Sequence, residues 1–409
     1  MERVCQRPNL IAALKRVKRN QGSPGIDGMT VEALPEYLKA HWPVLREQLL
    51  AGTYQPAAVK RQMIPKGGGK MRELGIPTVL DRFIQQALLQ ALQADIDPSF
   101  SEHSYGFRPG RRAHDAIGQA QRYIQDGRNI VVDIDLEKFF DRVNHDVLMG
   151  KLAKRVDDRR VLGLIRRYLN AGILAGGVVV ERHQGTPQGG PLSPLLANIL
   201  LDDIDQELEK RGHAFVRYAD DLRVFVRSKR AGERVMRLLT GLFGKLRLTV
   251  NESKSAVDQA SHRDFLGYGY WYTREGTVKR RVANRALETM KRRVRRITRR
   301  NRGRSIEQVI EELNRYLTGW KAYFHKSDTA QVFVKLDAWI RRRLRVLHLK
   351  HWTRGRTAYQ ALRALGAPQY LAARTAKHTK RWWWASQYHL QIVLTNRYFD
   401  KLGVTRLAA

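Results

Sequence analysis

Residues 213–228, HAFVRYADDLRVFVRS, constrain the fold more than any other stretch of the chain. Two apolar, strand-forming runs flank a pair of acidic residues, Asp220 and Asp221, and that pattern reads as a β-hairpin. The favoured two-residue link is Asn-Gly or Asp-Gly, so a bare acidic pair fits a simple polar turn less well. The chain around the pair is strongly basic: 75 Lys and Arg against 39 Asp and Glu leave 75 − 39 = +36. Two adjacent carboxylates between two strands of such a chain need a reason.

A chain of 409 residues is long enough for roughly two to three domains with real cores. With 43% hydrophobic and 28% charged residues it is globular and not disordered. The net charge points to a polyanionic partner, and nucleic acid leads, because neutralising phosphates with Lys and Arg releases counterions. An anionic membrane surface is the rival. No segment approaches the ~20 apolar residues of a spanning helix, and neither terminus reads as a basic amphipathic anchor. The start, MERVCQRPNLIAAL, lacks the apolar core of a signal peptide. Cys5 is the single cysteine, which excludes an internal disulfide framework and a Cys-cluster zinc site. These features predict a soluble cytoplasmic protein with no membrane partner.

Along the chain, strand and helix patterns mix, which predicts an α+β core. Phe83, Ile84, Ala87, Leu88, Ala91 and Leu92 recur at helical steps within 82–97. NIVVDIDLEKFF (129–140) opens as a strand. Residues 176–210 read as a strand, a Gly/Pro-rich loop and a long helix. Composition changes near residue 275: from Lys279 to Arg304 there are 13 Lys/Arg and one acidic residue, Glu288. Leu287, Met290, Val294 and Ile297 make that segment a basic amphipathic helix. Ser305 and Gln308 have capping-box spacing before a second helix with the stripe Ile306, Val309, Leu313, Leu317 and Trp320. A third helix carries Val332, Leu336, Ile340, Leu344 and Leu347.

In VVDIDLEKFF, period-two alternation puts Asp133 and Asp135 on the face opposite Val132, Ile134 and Leu136. An edge strand with a wet side explains that pattern as well as a functional site does. The functional reading joins two places. If the strand ending at Asp135 pairs with the hairpin, three carboxylates meet, and they repel one another unless cations stand between them. Mg2+ suits such oxygen ligands. Two ions about 3.5–4 Å apart clamp the oxygens of a phosphoryl displacement. A basic protein that brings nucleic acid there is a polymerase or a nuclease.

YADD (218–221) between two strands resembles the signature of reverse transcriptases. DLEKFFDRVNHDVL (135–148), QGTPQGGPLSPLLANILLDDID (184–205), LTVNESKS (248–255) and FLGYGY (265–270) resemble further blocks of that family, in order. IPKGGGKMRELGIPTVLDR (64–82) and RNQGSPGIDGMT (19–30) resemble its N-terminal blocks. LNRYLTGWKAYFH (313–325) resembles the maturase region of group II intron-encoded proteins, and NRYFDKLGVTRL (396–407) the end of their compact bacterial members.

The resemblance implies a right-hand polymerase: α+β fingers and palm with an antiparallel sheet packed on helices, then an α-helical thumb/maturase domain. It divides the chain into an N-terminal extension and fingers (1–128), palm (129–275), three-helix thumb/maturase (276–353) and a basic DNA-binding tail (354–409). It implies an RNA-directed DNA polymerase that copies intron RNA by two-metal nucleotidyl transfer and also binds that RNA as a maturase. Asp135, Asp220 and Asp221 would hold two Mg2+, with Mn2+ able to substitute. Lys66, Lys70 and Arg72 would contact the triphosphate, Phe140 would exclude a ribose 2′-OH, and Gln188 and Gly189 would sit against nucleotide and template. Lys254 would give a proton to the leaving pyrophosphate. Arg108, Arg111 and Arg112 would touch template RNA, with Tyr105 and Phe107 in the core; Arg292 and Arg296 would track the duplex or intron RNA. Trp320, Tyr323 and Phe324 read as core. Trp382–Trp384, with Lys377, Lys380 and Arg381, would form a DNA-binding surface.

The partners implied are group II intron RNA, a DNA primer or target, and dNTP, for a monomer or homodimer associated with the bacterial nucleoid or a ribonucleoprotein. Many relatives carry an endonuclease with Cys pairs; with Cys5 alone, this chain is expected to lack it and to prime from existing ends. Three rivals stand beside this reading. They are a domesticated relative serving phage defence or DNA repair, a splicing factor with a dead polymerase, and an RNA-dependent RNA polymerase.

Overall fold

Thr78 starts the first long helix that positions the site. Its hydroxyl accepts from Asp81 N at 3.0 Å, capping the helix Val79–Ile96. Asp81 is buried there, and its carboxylate accepts from Tyr54 OH at 2.9 Å, Tyr168 OH at 3.2 Å, Thr78 Oγ1 at 2.7 Å and Ala57 N at 3.1 Å. Burial raises the Asp81 pKa, and those four donors oppose the rise. One satisfied acid thus ties the helix to the segments around Tyr54 and Tyr168.

The computed structural model describes residues 1–66, 70–175, 178–180, 184–186, 189–352 and 354–408. The chain divides into two units, Met1–Ala260 and Ser261–Ala409. Among the described residues no helix is long and apolar enough to cross a membrane.

Among the described residues, the first unit holds two four-stranded sheets. One runs β2 (Lys70–Ile76), β1 (Val59–Lys66), β4 (Ile173–Ala175), β5 (Val178–Val180) in that spatial order. β1 and β2 form an antiparallel hairpin, and β1 pairs β4 in parallel. The other sheet is wholly antiparallel, ordered β6 (Ala214–Tyr218), β7 (Asp221–Val226), β3 (Ile130–Ile134), β8 (Ala256–Gln259). Val132, Val224 and Phe215 are fully buried within it. The helix Ser193–Lys210 is buried along most of its length, from Leu195 and Leu196 to Ile204 and Leu208. The helix Lys229–Lys245, capped by Ser228 Oγ, packs so closely on the sheet that a Cβ at Gly232 would lie 2.4 Å from Val257.

The second unit begins with the antiparallel pair β9 (Tyr268–Tyr272) and β10 (Val278–Val282). Three helices follow, Asn284–Ile297, Ile306–Phe324 and Ala330–His351; the second buries its whole predicted stripe, and the first and third bury theirs except for Leu287 and Val332, which are half-buried. Ser305 and Gln308 make both halves of the expected capping box, at 3.3 and 3.2 Å. Trp320 and Phe324 are buried, their ring centroids 4.6 Å apart. Five short helices occupy 355–401. The final segment straps the bundle: buried Asp337 accepts from Leu407 N and Ala408 N at 3.0 Å each, and Asn314 holds Gly403 O and Thr405 N.

Candidate active site

The hairpin turns one residue earlier than its sequence suggests. Tyr218 pairs Asp221, so the link is Ala219–Asp220 and Asp221 is the first residue of β7. Ala219 takes φ +59, the left-handed region that a tight hairpin asks for and that glycine usually fills. β3 runs antiparallel to β7 with Asp133 across from Arg223 and Ile134 across from Leu222. The pairing ends there, and Asp135 follows directly at the end of β3 that lies beside the start of β7 at Asp221. Two motifs far apart in the chain therefore lie at the same end of one sheet.

A second segment fixes Asp135. Asn251 N donates to Asp135 O at 2.8 Å, and Asp135 N donates to Ser255 Oγ at 3.0 Å. Between them Lys254 Nζ reaches Asp135 Oδ2 at 2.8 Å. Asp221 faces Arg223, whose Nε stands 3.4 Å from its Oδ1 and whose Nη2 stands 3.2 Å from Asp133 Oδ1. Desolvation pushes the Asp221 carboxyl up to about 6; Arg223 opposes this, and the charges of Asp133 and Asp220 add to it.

Among the described residues no three Asp, Glu, His or Cys side chains converge closely enough to hold a metal ion. Asp135 is turned to Lys254 and Asp221 to Arg223 instead. The donor set still fits a hard divalent cation. It consists of carboxylate oxygens at neighbouring strand ends, where burial, with the charges of Asp133 and Asp220 adding to it, raises the Asp221 carboxyl toward neutrality.

A cavity of about 1010 Å3 opens in the same unit. Arg72, Phe140 and Gly189, predicted from three separate motifs, all line it, together with Arg82, Phe107 and Gln86. The aspartates are not among its lining residues. Gly189 sits at φ +138, and a Cβ there would lie 2.6 Å from Gly75 O. Only glycine allows that approach of the loop to β2. Phe140 is half-buried with its ring 5.0 Å from Phe139. Lys66 and Lys70 face each other in register at the end of the β1–β2 hairpin; their side chains, like the whole of Gln188, lie outside the described residues.

One prediction is corrected, that of Phe107, and the surroundings of Arg108 add a structural role. Arg108, at the edge of the same cavity, is 8% exposed and all five of its N–H groups are taken within the loop. They donate to both oxygens of the Asp97 carboxylate, Asp97 O, Ser101 O and Ser104 O at 2.6–3.2 Å. It is a loop staple. Phe107 is not core: its φ of +63 turns the ring outward, 43% exposed, onto the cavity. Tyr105 is buried as expected. Arg111 donates to Glu102 O and Oε2, at 2.7 and 2.6 Å. Arg112, Arg292 and Arg296 are exposed. In the second unit Trp382, Trp383 and Trp384 are each about a third exposed, with Arg300 over the first ring at 3.7 Å and Arg342 over the second at 3.9 Å.

Sequence reasoning missed Asp133 and Arg223 as a charged pair beside the aspartates. It also missed a buried group under the turn, Asn198, Asp205 and Arg217. The spacing 198, 202, 205 of polar residues along an otherwise apolar helix was the available signal.

An acidic hairpin and a strand-end aspartate at the same end of an antiparallel sheet match the arrangement of a template-directed nucleic acid polymerase. The profile described as "Reverse transcriptase (RNA-dependent DNA polymerase)" matches residues 64–270, and that of the "Group II intron, maturase-specific domain" matches 287–366. The chain belongs to the reverse transcriptase family of RNA-directed DNA polymerases, in its group II intron maturase branch. Protein YkfC of Escherichia coli (strain K12) is 32% identical over 310 residues, covering 65% of this chain and 81% of that protein. Group II intron-encoded protein LtrA of Lactococcus lactis subsp. cremoris is 30% identical over 310 residues, covering 59% of this chain. The match spans 52% of LtrA, about half its length.

Proposed function

We propose that this chain extends a DNA primer on an RNA template with deoxynucleotides, that its template in the cell is a group II intron, and that it binds the same RNA as a maturase. The observation that carries the reading is the pairing of β3 with β7, which sets the end of the strand before Asp135 beside the hairpin of Asp220 and Asp221. Those three would hold two Mg2+, or Mn2+ in their place. Such ions, when bound, activate the attacking 3′-OH and stabilise the leaving pyrophosphate.

The chain's own residues do the rest. Arg72 binds triphosphate oxygens through its planar fork, with Lys66 and Lys70 as point charges. Phe140 occupies the space a 2′-OH would need. Gly189, without a Cβ, lets the loop approach the nucleotide and template. Lys254 supplies a proton to pyrophosphate. The exposed Arg292 and Arg296 bind phosphates of the duplex or the intron, and the Trp382–Trp384 segment binds DNA. In this reading 1–128 act as fingers, 129–275 as palm, 276–353 as thumb and maturase region, and 354–409 as the DNA-binding part. The maturase role is RNA binding that stabilises the folded ribozyme, so the chemistry of splicing stays with the RNA.

The test is primer extension by the purified full chain on an RNA template with dNTP and Mg2+. Extension is expected, with Asp220→Ala at least about a hundredfold slower. No incorporation by the wild type, or equal incorporation by Asp220→Ala, refutes the assignment.

A further inference from the structure

Beneath the hairpin turn lies a cluster that the polymerase reading leaves without a role. Arg217 is 1% exposed and is the largest fully buried side chain among the described residues. Its Nε donates to Asp205 Oδ1 at 2.8 Å and Oδ2 at 3.0 Å, and Nη2 also donates to that carboxylate. Asp205 is wholly buried. The two protons of Nη1 go elsewhere, to Asn198 Oδ1 and to Ala219 O, each at 2.9 Å. Asn198 Nδ2 in turn donates to Gly106 O at 2.9 Å. Gly106 closes the circle: a Cβ on it would lie 2.2 Å from Ala219 N and 2.8 Å from the Tyr218 carbonyl carbon.

A buried ion pair is a poor device for stability, because its desolvation cost is large and packed apolar side chains of similar volume do as well or better. What sets this pair apart is the destination of the remaining donors. Ala219 sits at φ +59, which a residue with a Cβ resists, so the turn is held by its surroundings. The carbonyl that Arg217 holds belongs to the peptide group leading into Asp220. Fixing that peptide plane fixes the direction in which the Asp220 side chain leaves the turn. The loop 103–107 adds to the clamp. Arg217 N donates to His103 O at 2.9 Å, and Tyr105 N donates to Arg217 O at 2.8 Å.

We propose that Arg217 is a positioning residue of the active site: anchored by Asp205 and Asn198, it locks the Ala219–Asp220 peptide and so aims the Asp220 carboxylate. This rests on Asp220 being catalytic. Arg217 touches neither nucleotide nor primer; it acts through the turn.

Two variants test it in the full chain. Arg217→Met combined with Asp205→Leu replaces the ion pair by apolar volume and is expected to fold. Arg217→Lys keeps the charge and loses the second donor arm, which covers the case in which the double variant does not fold. Two readouts are taken: primer extension against dNTP and Mg2+ concentration, and hydrogen exchange of a peptide spanning the hairpin. The proposal expects kcat at least tenfold lower with dNTP KM within about twofold, a higher half-saturating Mg2+, and exchange at the turn at least tenfold faster. Arg217→Lys should be intermediate. An active wild type with unchanged kcat and unchanged hairpin exchange in either folded variant overturns the proposal and leaves the polymerase reading standing. An inactive wild type overturns both.

Discussion

Lys254 Nζ donates to Asp135 Oδ2 at 2.8 Å, in a loop whose Asn251 N also holds the Asp135 backbone carbonyl. An ammonium thus sits on the carboxylate assigned to a divalent cation. Under the proposed function it would compete with that cation before reaction and would protonate the leaving pyrophosphate during it. Lys254→Ala should therefore separate two effects. The half-saturating Mg2+ concentration should fall, because a competing positive charge is gone. The kcat of primer extension should drop by about 10²-fold, the usual scale for losing a general acid. A variant with both constants unchanged makes Lys254 surface charge only.

Phe140 lines the same cavity as Arg72 and Gly189, and its neighbour Phe139 packs into the core. The pair divides the work: one ring supports, the other faces the cavity. Phe140→Val should open room for a 2′-OH and raise the ratio of rNTP to dNTP incorporation by about 10–10²-fold. Single-nucleotide insertion kinetics measure it. Phe139→Ala, by contrast, should lower stability without changing sugar preference.

What the sequence made legible was local. The hairpin runs, the three amphipathic helices and the Ser305 cap depend on neighbours within a turn or a strand pair, and each formed as its pattern implies. What stayed hidden depended on partners far along the chain. The fate of Arg108 was decided by Asp97 and by three carbonyls, which no spacing rule finds. Phe107 reads as core from composition, and a positive φ sends it outward. The turn slipped by one residue because the buried surroundings of Ala219 support a conformation that alanine alone disfavours. The site's acids and Lys254 were visible as motifs, whereas Arg223, paired with Asp133 across the sheet, took its place only through register.

Arg108 and the pair Arg292/Arg296 should behave as opposites. Arg108→Ala leaves the Asp97 carboxylate and buried carbonyls unpartnered, so it should cost about 3–5 kcal/mol of stability. The fraction that stays folded should bind RNA with an unchanged salt slope. Arg292→Ala and Arg296→Ala remove exposed charge and should leave the melting temperature alone. They should lower the slope of log K against log salt by about 0.7–0.9 for each phosphate that is no longer neutralised. Filter-binding titrations over a salt series, paired with thermal melts, read both quantities.

His348 provides a pH dependence that belongs to the second unit. The imidazole is 6% exposed, packed against Trp352 and Phe399, with Nε2 3.4 Å from Tyr398 OH. Burial lowers its pKa from 6.5 to about 4, the His351 charge adds to this, and Glu307 opposes it. The folded pKa lies below the unfolded one, so the unfolded chain binds more protons between them. This contribution to stability is fully present above about 6.5, shrinks as pH falls, and is gone at about 4. Across that window His348 alone should remove about 3 kcal/mol at most. His348→Leu should flatten this limb of the pH–stability curve while lowering stability little at neutral pH. Urea unfolding of the full chain, followed by the fluorescence of the tryptophans concentrated in this unit, measures it. A limb equally steep in the variant would assign the acid sensitivity to other groups.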